Sequence, residues 1–237
     1  MGGNKVINRN DLKLISPYIH SLISTYYPFL KRSEEGYWLY EGVNKILKLI
    51  DANVLNEINF SKNWHEKVCK KIEARLEKKV KGATFGMVPN YGGIIELENS
   101  NSGNIVELHF YMSFISNVYS IQIVYKKNDM LIKIREGYLD DYVGVGLEKL
   151  VVSPTKDHYY NEFFIVEDLL KKEFENSIFL SYAIEKLKIN NLEVTYMDKC
   201  NCTVGEAFFH KGMPLNYYIG EIPFIIGDEN YKINVLK

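Results

Sequence analysis

The feature that most constrains this chain is a change of hydrophobic period at Gly82. Before it, apolar residues recur every three or four positions, which is the repeat of one face of an α-helix. After it they alternate, apolar then polar, which is the repeat of a half-buried strand. A helical period does not settle into a sheet, nor an alternating one into a helix. The chain therefore divides at that point.

Three helices are expected before the break. Ser16 and Pro17 supply an N-cap and a proline at the first helical position. Ile19, Leu22, Ile23 and Tyr26 then form a core-facing stripe, and Pro28 stops that helix by Tyr27. Ser33 is read as the cap of a second helix, with Glu34 and Glu35 in its first turn and a stripe of Leu39, Val43, Ile46, Leu47 and Ile50. A third helix is expected over 61–81, where Trp64, Val68, Ile72, Leu76 and Val80 fall every four residues in one arc with Cys69. Its other side carries Lys67, Lys70, Lys71, Lys78 and Lys81. Glu66–Lys70 and Glu77–Lys81 have the spacing of favourable helix pairs.

After Gly82 an antiparallel meander is expected. Its strands are 84–88, 94–98, 105–115, 118–125 and 130–135, with Lys126–Asp129 turning between the last two. Residues 136–162 read as loop or short helix. A helical stretch follows to Lys188, broken at Asn176-Ser177, with Ser177 capping a second helix whose stripe includes Leu180, Ile184 and Leu187. The tail reads as strands again at 192–197, 202–209, 215–222 and 231–236, with a hairpin turn at 228–231. GMVPNYGGI (86–94) echoes residues 212–222 and raises a duplication of the two halves. The fold class is thus α+β: N-terminal helices, an antiparallel β-meander, then a helical segment and a second set of antiparallel strands. The corresponding segments are 1–81, 82–137 and 138–237.

Composition narrows the function classes. With 237 residues, 46% of them hydrophobic and 25% charged, the chain is ordinary globular material. No run of 18 uncharged apolar residues marks a membrane helix, and the opening residues hold no apolar signal core. Gly2 lacks the Ser or Thr at position 6 that myristoylation needs, since Val6 stands there. A cytoplasmic location without membrane contact is expected. Three cysteines are too few for a disulfide framework. The net charge of -1 is uneven, with +6 over 1–81, -1 over 82–137 and -6 over 138–237. Such polarity steers charged partners or pairs one part with another. The basic residues are 25 Lys and 4 Arg. A chain so poor in Arg is a weak candidate for base-specific nucleic-acid recognition. The Lys, Ile, Asn and Tyr bias matches AT-rich codons and points to a bacterium or phage.

The meander carries the candidate site. Alternation places Val106, Leu108, Phe110, Met112 and Phe114 on the buried face of 105–115, and Ile105, Glu107, His109 and Tyr111 on the other. Glu96, Glu98, Ser120, Gln122, Lys133 and Arg135 are expected to share that second face. Carboxylates beside a histidine suit acid–base chemistry or a metal, and equally suit a polar docking face. The acid-X-Lys of a metal-dependent nuclease is missing where it is needed: Glu107-Leu108-His109 has no lysine, and Glu77-Lys78-Lys79 lies on the helix. Asp198, Cys200, Cys202 and His210 lack the paired spacing of structural zinc sites, and His65 with Cys69 has no second pair. Gly144-Val145-Gly146 is not a dinucleotide fingerprint, and the phosphate-loop, zinc-protease and nucleophile-elbow motifs are missing.

The expectation is therefore a non-enzymatic protein-binding module, of the toxin-neutralising immunity or defence-accessory kind, with a protein partner and no cofactor. The 14% aromatic content, including 18 Tyr, agrees with an interface role. Its contact residues are expected to be Glu96, Glu98, Glu107, His109, Tyr111 and Gln122. The alternative is an enzyme using Glu107, His109 and Glu96.

Overall fold

A computed structural model describes residues 6–82, 84, 88–99, 104–131, 143–151 and 158–209, with side chains left undescribed at Glu57 and over 127–151. The class is α+β. A two-residue strand β1 (Val6–Ile7) leads into α1 (Arg9–Ile15), an element that periodicity did not announce. Ser16 caps α2 (Pro17–Tyr26) through its hydroxyl, which accepts from Ile19 N, and the helix ends before Pro28 as expected. The second helix is two: α3 (Glu35–Leu39) and α4 (Glu41–Leu55), whose N-caps are Glu34 and Tyr40 rather than Ser33. Leu39 falls outside the stripe, exposed, whereas Val43 and Ile46 are fully buried.

The third helix starts earlier and ends sooner than its stripe suggested. It comprises α5 (Glu57–Trp64), a π-helical turn (His65–Cys69) and α6 (Lys70–Leu76). Apolar residues four apart drift about 40° per step on a regular helix. The wider π turn advances less per residue and cancels part of that drift, so Trp64, Val68, Cys69 and Ile72 all stay buried. Glu77 takes a left-handed conformation (φ 53°) and ends α6. Val80 is buried as expected, but on a strand, β2 (Val80–Gly82). The Glu66–Lys70 pair forms at 2.6 Å, whereas Lys81, no longer helical, reaches Glu96 at 3.2 Å.

The meander is present and longer than expected. β3 (Asn90–Asn99), β4 (Asn104–Ser113) and β5 (Val118–Leu131) run antiparallel, with β2 on the outer side of β3. Lys126–Asp129 does not turn. β5 continues through it with register shifts and pairs with β6 (Val143–Val151), in a region expected to be loop or short helix. Residues 84–88 lie only partly within the described residues, and 132–135 and 210–237 lie outside them, with the strands, the hairpin turn and half of the internal echo placed there.

α7 (Tyr160–Glu173) follows and packs on the sheet beside the π turn and α6. Ser177 does not start a helix: β7 (Ile178–Phe179) adds in parallel to β5, and α8 (Tyr182–Glu185) begins after Ser181. β8 (Lys188–Ile189) pairs in parallel with β1. Residues 192–197 form no strand, with a turn at 195–196. Residues 202–209 hold α9 (Val204–Phe208), not a strand, with Thr203 and Glu206 in a reciprocal capping box.

The sheet separates two cores. On one face Ile95, Leu108, Phe110, Ile121 and Ile123 meet Trp64, Val68, Ile72, Phe163 and Val166. The other core joins Leu12, Ile19, Ile23 and Ile46 from the N-terminal helices to Leu180, Ile184, Leu192, Val204 and Phe208, with Tyr111 and Val118 of the sheet at its edge.

Candidate functional site

The second face of the sheet gathers the polar residues as alternation requires. Glu96 sits directly opposite Glu107, His109 opposite Gln122, and Tyr111 opposite Ser120. A bulge between Glu96 and Glu98 breaks the alternation, so Glu98 pairs with Val106 and leaves the row. Lys133 and Arg135 lie outside the described residues.

Two facing carboxylates repel, and each here has its own lysine. Lys81 reaches Glu96. Glu107 is bonded by the Lys126 ammonium and lies 2.7 Å from His109 Nε2. The other ring nitrogen of His109 is 3.3 Å from the Tyr111 hydroxyl. The hydrogen bond to His109, reinforced by Lys126, holds the Glu107 carboxyl down at about 2 against the opposing effect of burial. Lys126, Glu107, His109 and Tyr111 thus form one chain of contacts along the sheet. Lys126 was not among the expected site residues, because its segment was read as a turn.

Next to this chain the face is not open. Ser120 and Gln122 are buried at 1% and 6% exposure. Gln122 donates to Ser120 Oγ at 3.3 Å, and Ser120 donates to Glu185 Oε2 at 3.0 Å. Glu185, on α8, is 1% exposed, and its Oε1 is buried without a hydrogen-bond partner. Burial raises its carboxyl to about 8, with the Ser120 bond opposing, which favours the protonated form at neutral pH. Gly205 of α9 lies so close that a Cβ there would stand 2.4 Å from Glu185 Cγ. Tyr111 packs near Phe209, with ring centroids 6.1 Å apart, and burial raises its hydroxyl well above the usual range. Residues from 180–209 therefore cover part of the expected docking face. No sequence signal marked Glu185, which reads as one charge in an amphipathic stretch.

The remaining candidates separate. Cys200 is exposed, whereas Cys202 is buried and donates to Lys199 O, and burial raises its thiol to about 11. His210 lies outside the described residues. Cys69 is buried, with its thiol raised to about 12. Among the described residues no three His, Cys, Asp or Glu side chains converge on a possible metal position. On the basic helix face, Lys70, Lys71 and Arg75 are each paired, to Glu66, Glu173 and Asp168. No described helix is long and apolar enough to cross a membrane.

Comparison with protein-family models, with curated proteins and with solved structures finds no match to this chain.

Proposed function

We propose that this chain is a protein-binding module. The observation that carries the reading is the set of large apolar side chains left open where α4 meets α5. Leu55 is 89% exposed, Ile58 83% and Val54 44%, three within five residues. Side chains of this kind gain most when a partner covers them, at about 25 cal/mol per Å² of apolar surface. The sheet face supplies less: Gln122 and most of Tyr111 are covered, and Glu107 is held by two groups of its own chain. Glu96, at the open end of that face, remains as a polar rim, whereas the bulge has taken Glu98 out of the row. The toxin-neutralising or defence-accessory kind is the narrower form of the proposal; the Lys, Ile, Asn and Tyr bias expected of a bacterium or phage and the missing catalytic motifs support it.

The test is crosslinking in the native host with a photoreactive residue at position 55, followed by mass spectrometry. One stoichiometric protein partner is expected, lost in the Leu55→Glu/Ile58→Glu variant whose thermal melt is unchanged. A crosslink pattern indifferent to that variant, with a monomer by light scattering, overturns the reading.

The contact chain Lys126–Glu107–His109–Tyr111 favours one second reading, an enzyme in which Glu107 orients His109 for proton transfer. It requires that His109→Gln abolish turnover in a metabolite and nuclease screen while the fold is retained.

A further inference from the structure

A cavity of about 480 Å³ opens away from the sheet, between the start of α1, the turn after α2 and the residues after β8. Its lining includes Asn8, Arg9, Phe29, Leu30, Asn190 and Asn191. Among the described residues Arg9 is the only charged one in that lining, and three contacts hold it. Its Nε donates to His20 Nε2 at 3.2 Å and its Nη2 to Ser24 Oγ at 3.3 Å. Its guanidinium carbon stands 4.8 Å from the centre of the Phe29 ring.

None of these three contacts carries a negative charge. His20 Nε2 accepts from Arg9, and burial first, then Arg9 and Lys13, lower its pKa, which favours the uncharged ring. Among the described residues no carboxylate lies within ion-pair distance of Arg9, in contrast to Arg32 and Arg75. The guanidinium, on the exposed rim, is thus anchored by neutral groups alone, and among the described residues it has no counter-ion and its Nη1 makes no hydrogen bond. An arginine fixed in this way is pre-organised to bind an anion through its fork.

The backbone points to the same place. Phe29 has φ 58°, a left-handed conformation that a bulky residue adopts at a cost of about 1–2 kcal/mol. The strain brings an aromatic ring beside the cavity, roughly parallel to His20 at 6.3 Å. Around the rim, the side-chain amides of Asn190 and Asn191 make no hydrogen bond among the described residues. Asn8 uses its carbonyl to accept from Asp11 N, which leaves its NH2 free.

We propose that this cavity binds a small planar organic anion, its charged group on Arg9 and the asparagine amides and its flat body against Phe29. The volume suits a ligand of that size, since small-molecule sites span roughly 300–1,000 Å³. The proposal is independent of the apolar surface at Leu55 and Ile58.

The test uses two probes on the full chain, AMP and benzoate, which join a phosphate or a carboxylate to a ring. Titration is followed by calorimetry and by the His20 ring resonances. At least one probe is expected to saturate with a Kd below about 1 mM, while adenosine and inorganic phosphate alone bind more weakly. Arg9→Ala is expected to raise that Kd by roughly tenfold or more. Arg9→Lys keeps the charge but loses the fork, and should fall between. Arg75→Ala, whose side chain is paired on the other core, should bind as the parent does. Thermal melts of each variant show whether it is folded. No saturation by either probe up to about 5 mM, or binding that folded Arg9→Ala and Arg9→Lys leave unchanged, overturns the proposal.

Discussion

Two carboxyl groups in this molecule are displaced in opposite directions, and they shape opposite ends of its stability profile. Glu185 is buried beside Ser120, with one oxygen unpartnered, and titrates at about 8 in the folded chain. An acid whose folded pKa is raised stabilises fully below its unfolded pKa, and that stability is lost as pH rises through the folded value. Stability should therefore fall between about pH 4.5 and 8. Glu185→Gln removes the titrating group, so its urea midpoint should stay flat there, leaving it on the order of 2–4 kcal/mol better off at pH 9 relative to pH 5 than the parent. Parallel pH profiles for the two proteins would refute the assignment. Glu107 is the reverse case. Its folded pKa of about 2 means stability that is present above pH 4.5 and lost as pH falls toward 2. Glu107→Gln should flatten this acid limb and leave the alkaline one intact. Both expectations come from contacts that alternation along a strand does not show. Alternation correctly put Glu107, His109, Tyr111, Ser120 and Gln122 on one face. It is silent on what covers that face, and the cover comes from residues more than 60 positions later.

At the scale of elements, local chemistry was readable where it was self-sufficient. The Ser16-Pro17 start and the Pro28 stop of α2 depend only on neighbouring residues, and the structure follows them. The segment 202–209 reads as a strand because CTVGEAFF is mostly apolar, with Thr203 and Glu206 its two polar residues. Its core position buries all of α9, so neither period stands out. The usable cue was Thr203 with Glu206 three residues on, the capping box that satisfies two orphan helix donors. Thr203→Ala should cost about 1 kcal/mol, measured by urea unfolding. β6 is hidden for a different reason: a polar run, Lys126–Asp129, looks like a turn unless the partner strand is known. α2 and α4 meet at Gly42, where a Cβ would stand 2.0 Å from the Thr25 carbonyl oxygen. That approach is backbone against backbone and no rotamer relieves it. Gly42→Ala should therefore destabilise by about 2 kcal/mol or more, despite alanine's better helix propensity, which is worth about 1 kcal/mol. A stabilised Gly42→Ala variant would show that the two helices are further apart.

For the molecule as a whole, the two cores are unequal in how they are assembled. The first is built from Trp64 to Phe179, elements that follow one another along the chain. The second needs Ile7 to Ile46 together with Leu180 to Phe209, and the direct strand pairing between those parts is two residues of β1 against two of β8. So short a ladder does not stand alone. What holds the second core is the apolar packing of the N-terminal helices on the C-terminal segment, and Tyr111 and Val118 tie it to the sheet, where their strand neighbours Phe110 and Tyr119 belong to the first core. The sheet is thus a shared wall, and loss of either side exposes it. Ile23→Ala in the second core and Ile72→Ala in the first should each cost about 2–5 kcal/mol, both sites being fully buried. In calorimetry each should lower a single transition rather than split it. Hydrogen exchange then separates local from global effects. With Ile23→Ala, amides of 188–209 should lose protection together with those of α2, because the N-terminal helices and the C-terminal segment are one cooperative unit. If Ile23→Ala frees α2 while 188–209 keeps its protection, the second core is two independent layers on the sheet. The cover over Ser120 and Glu185 would then be held by the sheet alone.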